Sequence, residues 1–63
     1  MKVGETWKSK DKKWSIILLM AMKLDRWLVH KKDLRSGVVH TWPEEFDEVL
    51  KGQDIYELYM KVS

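Results

Sequence analysis

The sequence predicts a small, mainly β domain with one short α-helix, in the order β-β-β-β-α-β. Its 63 residues allow a single domain, residues 1–63, with a thin core; a chain of this size buries only about 60% of its unfolded surface. The apolar run Trp14–Met22 includes the β-branched pair Ile16 and Ile17, which favours a strand. Turn-forming residues divide the rest into short segments of strand length.

The first two strands are predicted on either side of a polar turn. Residues 3–9 place Val3 and Trp7 in phase on one face of a strand. The turn is the lysine-rich segment 10–13, and the second strand is Trp14–Met22. We expect Leu24 and Asp25 to form the bend into the third strand.

A helix over residues 15–32 is the alternative for the apolar run. Leu18, Met20 and Met22 are good helix formers, and Ile17, Leu24 and other apolar residues recur at helical spacing. Periodicity alone cannot decide a run that is apolar all round. The β character of the flanking segments favours the strand, and the alternative fold is therefore α+β.

The second half predicts a hairpin, a helix and a last strand. Residues 26–32 and 38–42 flank a five-residue connection that ends in Gly37, a residue that accepts the positive φ of such a turn. The helix begins at the capping-box segment 41–44, which has the form T-x-x-E with Pro in the first turn, and it ends at Lys51. Gly52 is then its stop signal, and residues 54–62 alternate as a strand.

Three segments of the chain resemble segments of a known protein family: VGETWKSKD, DRWLVH and LRSGVVHTWPEEF. Together they resemble the small SH3-like β-barrel proteins that bacteriophage genomes encode. The resemblance covers roughly residues 2–50 and implies a small SH3-like barrel. Its motifs are structural, so it assigns no functional residue. The run at 18–22 departs from the polar alternation that such a barrel would have.

Composition excludes several classes of function. There is no cysteine, which rules out disulfides and cysteine-based zinc sites. No serine lies in a nucleophile elbow and the glycines are isolated, so neither a catalytic triad nor a phosphate-binding loop is predicted. His30 and His40 are the only histidines. We therefore expect a protein that is not an enzyme and that needs no metal or cofactor.

Charge is unevenly distributed along the chain. Residues 1–40 contain ten Lys and Arg against four Asp and Glu, and residues 41–63 contain two against six. This asymmetry predicts a molecule with a basic part and an acidic part.

Lysines before an apolar run also resemble the layout of a signal peptide. Acidic residues precede the run, charged residues follow it, and nine residues are too few to span a membrane. We therefore expect a core strand and a cytoplasmic protein of a bacterial host cell, without membrane association.

The apolar surplus leads to the main functional hypothesis. The nine residues of Trp14–Met22 cannot all face inward in a strand, and about half should lie outside: either Ile17, Leu19 and Ala21, or Ile16, Leu18, Met20 and Met22. An exposed patch of this kind is typical of a protein–protein interface. We expect a small binding protein that modulates a host protein or assembles with itself, with the predicted acidic helix facing a basic partner. The candidate interface residues are Trp14, Ile16, Ile17, Leu18, Leu19, Met20, Met22, Glu44, Glu45, Asp47 and Glu48.

The alternative function is nucleic-acid or nucleotide binding by an SH3-like module. Lysines cluster in the two predicted turns, and an exposed tryptophan beside them would offer a stacking surface for bases. The candidate residues are Lys8, Lys10, Lys12, Lys13, Trp27, Lys31, Lys32 and Arg35.

Overall fold

The structure, a computed structural model, describes residues 1–34 and 45–63. Five antiparallel strands and one helix follow in the predicted order: β1 Thr6–Ser9, β2 Trp14–Met22, β3 Arg26–Asp33, β4 Glu45–Lys51, α1 Gly52–Leu58 and β5 Tyr59–Lys61. The strands form one open sheet in the spatial order β4-β3-β2-β1-β5, so the last strand returns to pair with the first. The mainly β class and the element order are therefore confirmed, although the fourth strand and the helix lie at other residues than predicted.

The turn of the β1–β2 hairpin is the polar segment 10–13, as predicted. Ser9, at the end of β1, accepts hydrogen bonds from the backbone N–H groups of Lys13 and Trp14 at 3.1 and 2.9 Å. Its hydroxyl donates to the Asp11 carboxylate at 2.6 Å. Lys12 takes a φ of 65° in this turn. These bonds fix the point at which β2 begins.

The apolar run is strand β2, so the alternative of a helix over residues 15–32 is wrong. Eight residues of β2 pair with β3, from Trp14 opposite Asp33 to Met22 opposite Arg26. Leu24 and Asp25 form the predicted bend, with φ values of 62° and 55°. The pairing register shifts between Leu18 and Met20, which leaves Leu19 as the extra residue of a β-bulge.

The predicted helix from the capping box to Lys51 is wrong, because Glu45–Lys51 is strand β4. It pairs along its whole length with β3, including Leu28 opposite Val49 and Trp27 opposite Leu50. Helical spacing in so short a segment gives little stability by itself, since isolated helices of fewer than about 12 residues are marginal. The ladder with β3 satisfies the same backbone groups and buries Leu50 against the core.

The strand predicted over residues 54–62 is also largely wrong. Helix α1 occupies Gly52–Leu58, and only Tyr59–Lys61 are extended. Gly52, predicted as a helix stop, instead begins this helix. Ile55 and Tyr59 are both buried. They are four residues apart, so the chain places them on one side of the helix and its C-cap.

Three predicted features fall wholly or partly outside the described residues. The strand 38–42 and the capping-box segment 41–44 lie outside them entirely, and so does the second part of the glycine turn 33–37.

The core lies between the inner face of the sheet and helix α1. Ile16, Leu18, Val29 and Ile55 are completely buried, and Trp7 and Tyr59 nearly so. Trp14, Trp27 and Leu50 pack against this cluster from the side while half-buried. So small a core leaves little free energy to spare, in line with the roughly 3–5 kcal/mol typical of domains of this size.

Within residues 1–34 and 45–63, no helix is long and apolar enough to cross a membrane.

Candidate functional site

The register of the sheet separates its side chains into two faces. Residues directly opposite each other on paired strands project to the same side. Ile16 and Leu18 on β2 and Val29 on β3 project toward the core. Their neighbours in the sequence project to the other side, which we call the outer face.

Apolar residues from neighbouring strands lie side by side on the outer face. Met20 on β2 is opposite Leu28 on β3, and Leu28 is opposite Val49 on β4. Met20 and Val49 are 50% and 45% exposed, while Leu28 between them is half-buried. The register thus builds a continuous apolar row, the Met20 row, across three strands.

Further apolar side chains extend the outer face on both sides of the Met20 row. Ile17 lies toward the β1–β2 hairpin and Met22 toward the β2–β3 bend. Met60 is opposite Lys8, and the Val62 N–H donates to the Thr6 carbonyl beyond the end of β5. All four apolar side chains are exposed. An apolar surface that continues over several strands is the usual mark of a protein-binding site.

Charged residues border the Met20 row differently at its two sides. Toward the bend, Met22 is followed across the sheet by Arg26 and Lys51. Toward the hairpin, Ile17 is followed by His30 and Asp47, whose Nδ1 and Oδ1 atoms are 2.8 Å apart. One border is therefore cationic, and the other ends in a carboxylate.

The structure divides the predicted interface residues of β2 between the two faces. Ile16 and Leu18 are in the core, and Trp14 lies on the same inner side. Ile17 and Leu19 are exposed. Met20 and Met22 are exposed as well, because the bulge at Leu19 shifts the register. The exposed set therefore combines parts of the two alternatives, which a strict alternation could not foresee.

The predicted acidic residues lie on a strand, not on a helix. Glu45 and Asp47 project from the outer face. Glu48 projects inward, where its Oε2 atom is 3.3 Å from Lys31 Nζ. Glu44 lies outside the described residues.

Sequence reasoning missed part of the outer face. Leu28 and Val49 were not predicted there, and neither were Met60 and Val62. Leu28 alternates with His30 and Lys32 in the sequence, which was an available signal. Val49 lies in the segment that was predicted to be a helix, so its place in the sheet was missed.

The predicted basic set does not form one patch. Lys8 and Lys32 flank Ser15 on the outer face, whereas Lys31 projects inward. The Lys31 ammonium lies 4.6 Å from the centroid of the Trp14 ring and is paired with Glu48. Lys10, Lys12 and Lys13 follow the hairpin turn, and Arg35 is outside the described residues.

No tryptophan within residues 1–34 and 45–63 is an exposed stacking surface. Trp7 is buried in the core, and its ring meets Tyr56 edge-on at 5.5 Å. Trp14 and Trp27 are half-buried, and Trp14 meets Phe46 edge-on at 6.1 Å.

A cleft of about 350 Å³ opens on the inner side of the sheet, between the hairpin turn and the end of α1. Trp14 and Tyr59 form its apolar walls, and Lys31, Asp11 and Glu57 supply charges of both signs. The Ser9 hydroxyl and the Lys13 N–H donate to the Asp11 carboxylate and lower its pKa. Because these donors shape the turn, Ser9 and Asp11 have a structural role in the cleft wall.

Two further findings concern metal binding and similarity to known proteins. No group of three or more His, Asp or Glu side chains among the described residues is arranged to hold a metal ion. Comparison of the chain with family models, curated proteins and solved structures found no significant match.

Proposed function

We propose that this chain is a non-enzymatic binding protein that associates with protein through the outer face of its sheet. The observation that carries the proposal is the Met20 row with its apolar neighbours from β2 and β5. Interfaces of this kind are apolar at the centre and polar at the rim. The outer face has that arrangement, with the Met20 row at its centre and charged residues at its borders.

The side-chain types of the outer face also support protein binding. Three of its exposed residues are methionines: Met20, Met22 and Met60. Methionine is flexible and polarisable, and it adapts its shape to the surface of a partner. None of these three methionines belongs to the buried core cluster or packs against it. Their side chains are therefore available to a partner.

Site-specific photo-cross-linking tests the proposal. A photo-reactive amino acid would replace Met20 in one variant and Leu58 in another. Leu58 is a matched control because it is 59% exposed but lies on α1, on the opposite side of the sheet. We expect protein adducts from position 20 that are at least several times more abundant than those from position 58. Equal yields from both positions, or none from position 20, would contradict the proposal.

Nucleic-acid binding is the second candidate, favoured by Lys8 and Lys32 on either side of Ser15 on the outer face. Binding through phosphates weakens steeply as salt rises. Fluorescence anisotropy with single-stranded and double-stranded oligonucleotides at about 50 and 200 mM salt tests it. On our proposal the anisotropy stays flat at both concentrations. Binding that falls with salt, and that a Lys8→Glu substitution abolishes, would establish the second candidate instead.

A further inference from the structure

We propose that the partner of the outer face is a second copy of this chain, packed face to face and antiparallel across a two-fold axis. This inference rests on the proposed function and names its partner. The axis runs along the Met20 row, across the strands, midway between the two sheets. A two-fold interface requires a surface that is complementary to itself. Across β2, β3 and β4 the outer face meets this requirement, both in the positions of its apolar residues and in the positions of its charges.

The apolar residues of β2, β3 and β4 on the outer face match themselves under this rotation, whereas Met60 and Val62 lie on the hairpin side of the Met20 row without a counterpart. The rotation keeps each strand over its counterpart and reverses the strand direction. The Met20 row of one copy then covers the Met20 row of the other. Ile17 and Met22 lie on β2 on opposite sides of that row. Each Ile17 therefore meets the Met22 of the second copy, twice per dimer.

The charged borders also match under the same rotation. Asp47 and Lys51 both project from the outer face of β4, on opposite sides of Val49. The rotation places the Lys51 of each copy over the Asp47 of the other, which gives two equivalent ion pairs. Asp47 is free to take part, because its side chain is 58% exposed although it contacts His30. Arg26 then faces the His30–Asp47 pair.

Pairing through the sheet edge is the competing way for two copies to associate. Among the described residues β4 is an edge of the sheet, and three of its seven residues are acidic. A ladder centred on Val49 would pair Asp47 with Lys51, and Met20→Lys, which lies two strands away, distinguishes that arrangement from the face-to-face dimer. A ladder over the whole strand is centred on Glu48 and would place the two Glu48 side chains directly opposite each other. Like charges in that position are destabilising, and charged edges are a common protection against such pairing.

The available surface is adequate for a dimer. A standard interface buries about 800 Å² on each partner. One molecule exposes 4707 Å², so an interface of that size would use about a sixth of its surface. One broad side of a five-stranded sheet can supply such an area.

Charge reversal at two positions provides a sharp test. Asp47→Lys and Lys51→Glu would be prepared as separate variants, one of them labelled with ¹⁵N, and their masses measured by native mass spectrometry alone and mixed. Within one chain the two positions are about 13 Å apart, four residues along a strand at about 3.3 Å each. In the proposed dimer each variant alone places like charges together twice, whereas a mixed dimer restores two opposite-charge pairs.

We expect the wild type to be dimeric, each variant alone to dimerise at least ten times more weakly, and the mixture to form mainly the mixed dimer. Recovery in the mixture also shows that both variants are folded. Variants that dimerise as the wild type does, or a mixture without preference for the mixed dimer, would overturn the inference.

A monomeric wild type would overturn the inference too. The cross-linking at position 20 would then test the proposed function separately. Adducts with other proteins at that position would leave protein binding standing with a different partner. Absence of any protein adduct would remove both proposals.

Discussion

Glu5 joins three parts of the chain through its carboxylate. It accepts the Lys2 backbone N–H at 2.9 Å and the Trp7 indole N–H at 3.4 Å through Oε1, and Lys61 Nζ lies 2.9 Å from Oε2. The Lys2 N–H and the Lys61 ammonium, with the Trp7 donor, lower the pKa of Glu5 from 4.5 to about 2. The residue thereby links the N-terminal turn to β5, a strand of only three residues.

The lowered pKa of Glu5 predicts a specific acid sensitivity. A carboxyl whose pKa is lower in the folded state stabilises the fold above its unfolded pKa, here 4.5, and loses this contribution as pH falls toward the folded value of about 2. We expect Glu5→Gln to lower the urea midpoint at pH 7. The gap between wild type and variant should narrow between pH 4.5 and pH 2. A gap that stays constant over this range would contradict the assigned bonds.

Gly52 lies close to the Asp25 side chain. Its N–H donates to the Asp25 carbonyl at 2.6 Å, and a Cβ atom at this position would lie 2.8 Å from Asp25 Cγ. Replacing glycine by alanine in a helix normally stabilises it by about 0.5–1 kcal/mol. Here the carboxylate of the exposed Asp25 side chain must turn aside to make room for the Cβ atom, which offsets part of this gain.

We therefore predict that Gly52→Ala raises the thermal midpoint, measured by circular dichroism, by less than the same substitution does in an Asp25→Gly background, where the obstructing side chain is absent. Asp25 has a φ of 55°, a conformation that glycine accepts readily, so Asp25→Gly by itself is the reference for the double variant. Gln53→Ala, one residue further along α1, is the matched control and should change the midpoint equally in both backgrounds. An equal gain from Gly52→Ala in the two backgrounds would show that the Asp25 side chain moves aside at no cost.

At the scale of elements, local patterns located some boundaries and missed others. The bounds of β2 and the bend at Leu24 and Asp25 were predictable, because a β-branched apolar run and a turn are local features. The strand β4 was not, since its backbone partners lie on β3, at sequence separations that range from Lys32 opposite Glu45 to Arg26 opposite Lys51. Phe46, Val49 and Leu50 have helical spacing, but the ladder with β3 decides the structure of this segment.

Helix α1 did leave a local signal. Gly52, Ile55 and Tyr59 are the buried residues of the segment, and they recur at spacings of about one helical turn. The alternation of Tyr56, Leu58, Met60 and Val62 was the stronger pattern and predicted a strand instead. All four are exposed, so the period of the buried residues was the informative one.

Ile55 attaches α1 to the sheet, and its truncation should show how much the fold depends on that attachment. Removing a completely buried Ile costs about 2–5 kcal/mol, comparable to the roughly 3–5 kcal/mol available to a domain of this size. We predict that Ile55→Ala is largely unfolded at 37 °C by circular dichroism. Leu58→Ala, an exposed residue of the same helix, should remain folded with a midpoint close to the wild type. A cooperative Ile55→Ala transition near the wild-type temperature would contradict this packing.

At the scale of the whole molecule, the two sides of the sheet differ. The inner face and α1 contribute the buried core, and the outer face exposes apolar side chains that are not part of that core. The excess of apolar residues on β2 was predictable from the composition of that segment. Their position beside Leu28 and Val49, and the addition of Met60, depend on strand pairing that the sequence does not show. The bulge at Leu19 turned both methionines of β2 outward.

Sedimentation equilibrium over a dilution series of the wild type, Met20→Lys and Leu58→Lys measures the role of the outer face most directly. Both substitutions place a lysine at an exposed site, so neither should change the unfolding free energy by more than about 0.5 kcal/mol. We predict that the wild type and Leu58→Lys share one concentration-dependent dimer mass, while Met20→Lys stays at the monomer mass of 7.6 kDa. Equal association of all three, or a wild type that is monomeric throughout, would contradict the outer face as the site of self-association.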